Sequence, residues 1–179
     1  MSRQGPPVDV LNLCCGDDHR STAWNVDVDP ECDPDEIVDL NRVPWPWPDS
    51  SFAAVRIKHG LEHLTDVERA LRECARVLEA GGRLTVVWPV GMNERADPDH
   101  AGHQWIWETP QYYCGARPWD VDVGLQVVDR DVSLHTHLSG WFDDAYAALI
   151  NWYADRHGQG RWLFDLPATS GEFTVVFEV

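Results

Sequence analysis

In the stretch NVDVDP an aspartate, Asp27, closes a short apolar run, and in IVDLNRVPW Asp39 does the same. A carboxylate held at the tip of a strand can accept hydrogen bonds from both hydroxyls of a ribose, and a second one nearby can accept from the amino group of an adenine. Ahead of both stands LNLCCGDDH, Leu11 to His19, where an apolar run breaks at Gly16. Such strand-to-turn junctions bring backbone close to a nucleotide. His59, His63, His100, His103, His135 and His137 form a second chemically capable group. Imidazole exchanges protons near neutrality, so His63 and His100 are candidate general bases for a displacement that first strips a proton from oxygen or nitrogen. The HxxH and HxH spacings could also supply metal ligands. No cysteine or Glu-His partner stands at motif spacing, however, and no metal site is predicted.

The elements that position these residues are short. Val8 to Leu13, Trp24 to Val28, Glu36 to Leu40 and Phe52 to Lys58 read as strands, and the three prolines of PWPWP keep the segment before the last of them a loop. Thr65-Asp66-Val67-Glu68 fits a capping box with Thr65 at the cap, opening a helix with apolar residues at 67, 71, 74 and 78. Gly81-Gly82 is expected to stop that helix, and Arg83 to Pro89 is a strongly apolar strand. Alternation of this kind implies an α/β fold with a parallel sheet. From Gly91 to Trp107 the chain is polar and without period, a lid or substrate loop. A short helix near Thr109, a strand from Leu125 to His135, an amphipathic helix from Trp141 to Arg156 and a closing strand from Glu172 to Val179 follow. The reading is one domain over 1–179, with a cofactor half at 8–89 and a substrate, lid and closing-strand half at 90–179.

The pieces LNLCCG, NVDVDP, VDLNRVPWPWPDSSF, HGLEHL and RALRECARVLEAGGRLTVVWP, in that order, resemble the class I S-adenosylmethionine-dependent methyltransferases. The resemblance implies a Rossmann-like, doubly wound, mostly parallel sheet with an antiparallel last strand. It implies S-adenosylmethionine as cofactor, bound by Asn12, Cys14, Cys15, Gly16, Asp27, Val28, Asp39, Leu40 and His59. The Cys14-to-Gly16 turn would run under the methionine part, Asp27 would take the ribose, Asp39 with Leu40 would face the adenine, and His59 would lie beside the sulfonium. Glu62-His63 would border the acceptor, and DPDH, residues 97–100, resembles a segment lying over the active site.

This chain departs from the family pattern in two ways. Cys14 and Asp18 occupy places where the family usually has glycine; a cysteine there is tolerable only if its side chain points into the core. Only Asp17 to Ala23 separate the first two strands, so the helices that normally cover the N-terminal half are expected to be largely missing. An exposed pocket then calls for cover from the 91–120 segment, a second copy or a partner subunit.

The expected activity is methyl transfer to an oxygen or nitrogen of a small-molecule or macromolecular acceptor. HGLEH stands where amino methylation of DNA bases would require Asn/Asp-Pro-Pro-Tyr/Phe. A catalytically silent binding or assembly module of the same fold is the alternative. A nicotinamide-dependent oxidoreductase ranks last, because G-x-G-x-x-G is missing. Trp45 and Trp47 could stack on the purine, and Trp105 and Trp107 could line a substrate slot, although core packing is the default for large aromatics.

Composition narrows the field. With 44% hydrophobic and 25% charged residues in 179, the chain is globular in character. Its net charge is −16, twenty of its thirty acids are aspartate and Lys58 is its only lysine, so nucleic acid is disfavoured as a partner. The same acidity suits a halophilic protein, since molar salt shortens screening to about 3 Å; refolding yield against KCl concentration tests that reading. Five cysteines without paired spacing are expected to be reduced and mostly buried. The N-terminus lacks the apolar run of a signal peptide and no stretch reaches the roughly 18 apolar residues of a membrane span, so a cytoplasmic address is expected.

Overall fold

A computed structural model describes residues 8–91, 100, 105–135, 140–157 and 170–179. Seven strands form one sheet: β1 (Val10–Leu13), β2 (Trp24–Asp27), β3 (Glu36–Ile37), β4 (Phe52–Lys58), β5 (Leu78–Gly91), β6 (Gln126–His135) and β7 (Ser170–Glu178). Their spatial order is β3-β2-β1-β4-β5-β7-β6. The first five strands run parallel, and β7 is antiparallel to both β5 and β6. Among the described residues three α-helices accompany the sheet: α1 (Val67–Val77), the single turn α2 (Thr109–Tyr112) and α3 (Gly140–His157). The α/β fold with a closing antiparallel strand is as the sequence implies.

The two faces of the sheet differ in chemistry. In register, Leu11, Leu13, Val26, Val55, Ile57, Leu84, Val86, Trp88, Phe173, Val175 and Phe177 share one face, and all are buried in a single apolar cluster. That cluster also takes Leu71 and Cys74 of α1 and Ile150 and Ala154 of α3. The opposite face carries Asn12, Asn25, Arg56, Lys58, Thr85 and Thr174. Parallel sheets are ordinarily apolar on both faces because helices cover both. Here the alternation of polar residues means that only one face demands such cover. Among the described residues no helix lies between β1 and β2, and the polar face is satisfied locally instead. Asn12 Nδ2 donates to Asn25 Oδ1 at 3.1 Å and to the Asp18 carbonyl at 2.9 Å, while Arg56 reaches Asp18 Oδ2 at 2.7 Å.

Several boundaries differ from those expected. The α1 cap is Asp66, whose Oδ1 accepts from Arg69 N at 3.0 Å, rather than Thr65. Thr65 instead spends its hydroxyl and its N–H on Asn41 Oδ1, tying the helix entrance to the loop after β3. The helix ends at Val77, ahead of Gly81-Gly82, because Leu78 turns extended (φ −74, ψ 142) to pair with Phe52. The strand β3 stops at Ile37, so Asp39 lies just beyond its tip rather than at its end. Its Oδ1 accepts from Asn41 N at 3.1 Å, a turn that takes the chain out of the sheet. The helix α3 is not amphipathic as expected: Trp141, Phe142, Leu149 and Trp152 are exposed, and only Ile150 and Ala154 are buried. Most of the 91–107 segment, with His103 and His137, lies outside the described residues.

The tryptophans singled out as possible ligand contacts, Trp45, Trp47, Trp105 and Trp107, go to the core with Trp88. Trp88 stacks on Trp105 with centroids 4.8 Å apart and Trp107 on Phe173 at 5.5 Å. Trp45 and Trp47 are also buried, their indole N–H groups donating to the Leu40 carbonyl and to Glu36 Oε2. Neither is free to stack on a purine, which corrects that expectation, and Trp105 is spent on the core rather than on a substrate slot.

Glu73 clamps the PWPWP loop to α1. It accepts from Trp45 N at 2.6 Å and from Arg76 Nη2 at 2.7 Å, while Arg76 Nη1 donates to the Trp47 carbonyl. The Arg76 hydrogen bond, opposed by burial and helped by the Trp45 N–H, holds the carboxyl below its ordinary value of 4.5. A carboxyl depressed in the folded state adds stability above the unfolded value and loses it as pH falls through the folded one. Glu73→Gln should therefore cost about 1–3 kcal/mol at neutral pH. Urea unfolding should show that gap closing in acid; a gap of equal size at pH 3 would refute the clamp.

Candidate functional site

The site is built at the carboxyl ends of β1, β2, β3 and β4, the edge where open α/β sheets bind ligands. After β1 the chain turns sharply: Cys14 has φ +51, Gly16 has φ +45, and Asp18 N donates to the Cys15 carbonyl at 2.7 Å. The turn is fastened to β2 twice. Cys15 N donates to the Val26 carbonyl at 3.0 Å, and Gly16 N donates to Asp27 Oδ2 at 2.9 Å. The other oxygen of Asp27 accepts from Asp29 N at 3.0 Å. Two backbone donors therefore fix this carboxylate in place at the end of β2. Each oxygen keeps a further lone pair for a ligand.

Val38 N donates to the Asp27 carbonyl at 2.9 Å, which sets Asp39 at the neighbouring strand tip. Asp39 pairs with Arg42 Nε at 3.0 Å and remains about one-third exposed. Leu40 beside it is buried, whereas Val28 is exposed. Asn12 does not reach this edge: it is 1% exposed and its amide belongs to the Asn25–Asp18 network under the turn. Asp18, in a glycine position of the family, pairs with Arg56. Burial tends to raise its pKa, but the Arg56 charge and hydrogen bond outweigh that and leave it lowered.

Cys14 answers the question its presence raises. It adopts the left-handed conformation for which glycine is the usual residue, and its side chain packs against the core and Gly60. Burial, with the charges of Asp27 and Glu62, pushes its thiol up to about 12, and burial and Asp27 push Cys15 to about 11. Neither is a reactive thiolate at neutral pH.

At the end of β4, His59 is also left-handed (φ +50) and its N–H donates to the Val87 carbonyl. Its Nε2 lies 3.0 Å from Glu172 Oε1, which Lys58 Nζ meets at the same distance. Burial lowers the His59 pKa below its ordinary value, only partly opposed by the Glu172 charge. Burial opposes but does not overcome the Lys58 interaction that keeps the Glu172 carboxyl below its usual range. Glu172 was not legible as a site residue. It lies on the last strand, and only the antiparallel register of β7 on β5 carries it to this edge.

Leu61–His63 follows as one turn of 3-10 helix, burying Glu62 and exposing His63. His100 is brought to it from far along the chain, the His63 and His100 rings meeting edge to face at 5.0 Å. The two histidines read as candidate general bases thus lie side by side.

Residues 20–86 match the family model described as a methyltransferase domain. The match and the sheet order agree: residues 20–86 are similar to a methyltransferase domain, and the chain has the fold of solved SAM-dependent methyltransferases. Among curated relatives, it is 50% identical over 52 residues to the ubiquinone/menaquinone biosynthesis C-methyltransferase UbiE of Hahella chejuensis, 29% of this chain and 21% of that protein. The chain therefore matches about a fifth of that relative's length. Among solved structures, it resembles a SAM-dependent methyltransferase of Archaeoglobus fulgidus, with TM-score 0.57, 14% identity and coverage of 95% and 85% of the two chains. It also resembles a Haloferax volcanii chain solved with the Trm112 methyltransferase activator, with TM-score 0.50, 16% identity and coverage of 97% and 84%. No described helix is long and apolar enough to cross a membrane.

Proposed function

We propose that this protein is an active enzyme that binds S-adenosylmethionine and moves its methyl group to an oxygen or nitrogen of a small or medium-sized acceptor. The observation that carries the reading is the Asp27 carboxylate, held by Gly16 N–H across the turn after β1. A carboxylate so fixed fits an adenosine: its spare lone pairs suit a ribose diol, and the left-handed turn beside it lets backbone approach the ligand. Asp27 would hold the ribose, Asp39 and Leu40 the adenine side, and Cys14 to Gly16 with His59 the methionine side.

S-adenosylmethionine supplies an electrophilic methyl group on sulfonium. In the transfer the carbon–sulfur bond breaks as a bond to the acceptor forms, and the acceptor's proton must go elsewhere. His63 and His100 stand together as its candidate recipients. The UbiE match covers 52 residues, all told less than a third of this chain, so its carbon acceptor is not carried over.

An open edge supports a second copy or a partner subunit as cover. No helix bridges β1 and β2 among the described residues, and Val28 and Ile37 are exposed beside Asp27. The Haloferax volcanii chain of like fold was solved with an activator. Titration calorimetry with S-adenosylmethionine and S-adenosylhomocysteine tests the proposal: saturable heat from both is expected, and no heat from either would leave the silent-module reading standing.

A further inference from the structure

We propose that Glu62, His63 and His100 form a binding site for one divalent transition-metal ion of the zinc or cobalt type. One ligand atom from each residue lies within 4.8 Å of the others. In a tetrahedral site with bonds of about 2.0–2.1 Å, ligand atoms stand roughly 3.4 Å apart. A modest side-chain rotation, easily made by the exposed His63, closes the difference.

The donor set selects the ion. Two imidazole nitrogens and one carboxylate oxygen suit zinc and its neighbours, and three protein ligands leave a coordination position open. Magnesium and calcium prefer oxygen throughout. Glu62 is 1% exposed, so its carboxylate is shielded from water where its ligand atom meets those of the two histidines. The net charge of −16 concentrates cations at the surface.

Sequence spacing conceals this site. The HxxH and HxH pairs attract attention, yet the cluster combines the Glu-His dipeptide after β4 with the first histidine of HxxH alone. Only the fold brings them together.

The site's purpose, though not its existence, rests on the methyl-transfer reading. It begins three residues after His59, at the sheet edge where the acceptor would sit. A hydroxyl or carboxylate of the acceptor could take the open position, and a cation there lowers the proton affinity of a bound hydroxyl. A ligated imidazole has no lone pair for a proton, so His63 and His100 would then position the acceptor. The proton would leave to solvent.

The test titrates Co2+ into chelator-treated full-length protein and follows the visible d–d absorption. One Co2+ per chain is expected, displaced by Zn2+. His63→Gln and His100→Gln should each weaken binding at least about tenfold, the loss that even an outer-shell change brings. His157→Gln, on α3, should leave it unchanged. His63 is exposed, so that variant should fold, as far-ultraviolet circular dichroism of the metal-free protein would verify. Failure of the wild type to take up Co2+, or wild-type affinity in both the His63 and the His100 variant, overturns the site and leaves an edge-to-face histidine pair beside a carboxylate. S-adenosylmethionine calorimetry on the same metal-free sample separates the two readings, since either can succeed while the other fails.

Discussion

Asp27→Ala should weaken S-adenosylmethionine binding by roughly 10- to 100-fold while leaving the protein folded. The estimate follows from a charged acceptor whose loss strips about 1–3 kcal/mol from a set of hydrogen bonds, at about 1.4 kcal/mol per factor of ten. The carboxylate has two jobs. Its oxygens accept from Gly16 N and Asp29 N, which shapes the turn, and their remaining lone pairs face the ligand edge. Asp27→Asn keeps one carbonyl oxygen and should fall between the wild type and Asp27→Ala. The turn has a second fastening, Cys15 N to the Val26 carbonyl, so the loss of stability should be smaller than the loss of affinity. Calorimetry and urea unfolding on the same variants check this. Unchanged affinity in Asp27→Ala would remove the ribose assignment; equal losses of stability and affinity would reduce Asp27 to a structural residue.

What could be read from the sequence follows a physical division. Strands with a strong apolar period were legible: Phe52 to Lys58 has its expected ends, Val8 to Leu13 and Trp24 to Val28 differ by a residue or two, and the strand expected from Arg83 begins five residues earlier, at Leu78. The place of Asp27 at the tip of its strand was legible, because the apolar run it closes fixes where the strand ends. Boundaries set by competition were not. At the α1 entrance, Thr65 and Asp66 can both cap, and the choice falls to Asp66 because Asn41, from another loop, takes the Thr65 hydroxyl. At its exit, glycines were a weaker stop than the pairing of Leu78 with Phe52. The tryptophans were misplaced for a related reason. An aromatic in a proline-rich loop next to a ligand edge looks available, but Glu36 and the Leu40 carbonyl offer buried acceptors for their indole N–H groups. Glu172 and the Glu62–His63–His100 cluster depend on long-range register, which no local spacing encodes.

That no helix lies between β1 and β2 also has a cause visible in the strands. Asn12, Asn25 and Arg56 fall at alternate positions with Leu11, Leu13, Val26 and Val55, so only one face of β1, β2 and β4 is apolar. Asn12 and Asn25 are already withdrawn from water under the turn, and a helix laid on that face would have to cover the Arg56 guanidinium as well. The network with Asp18 satisfies them with side chains and turn backbone alone. The aspartate that replaces a glycine in the turn is the partner that the uncovered Arg56 needs.

Gly60→Ala should be among the most damaging small substitutions in the chain, and Cys14→Gly should largely rescue it. A Cβ on residue 60 would lie 2.5 Å from Cys14 Cβ and 2.6 Å from its Sγ, with Ile57 Cγ2 at 3.1 Å. The chain has thus exchanged side chains across this contact: a cysteine fills the turn where the family usually has glycine, and the segment facing it has none. Cys14 cannot easily yield, because it is held in a left-handed conformation, which costs a residue with a Cβ about 1–2 kcal/mol. Overpacking at such a contact costs about 1–3 kcal/mol, and contacting residues couple by about 0.5–3 kcal/mol in double-mutant cycles. Alone, Cys14→Gly should be close to neutral in stability, since relief of the strained backbone offsets the lost packing. Denaturant unfolding of the two single variants and the double variant gives the coupling, and calorimetry should show Gly60→Ala also loosening cofactor binding by displacing the turn. Simple additivity of the two substitutions would show that Cys14 and Gly60 do not constrain each other, and the account of how a cysteine is accommodated in this turn would fail.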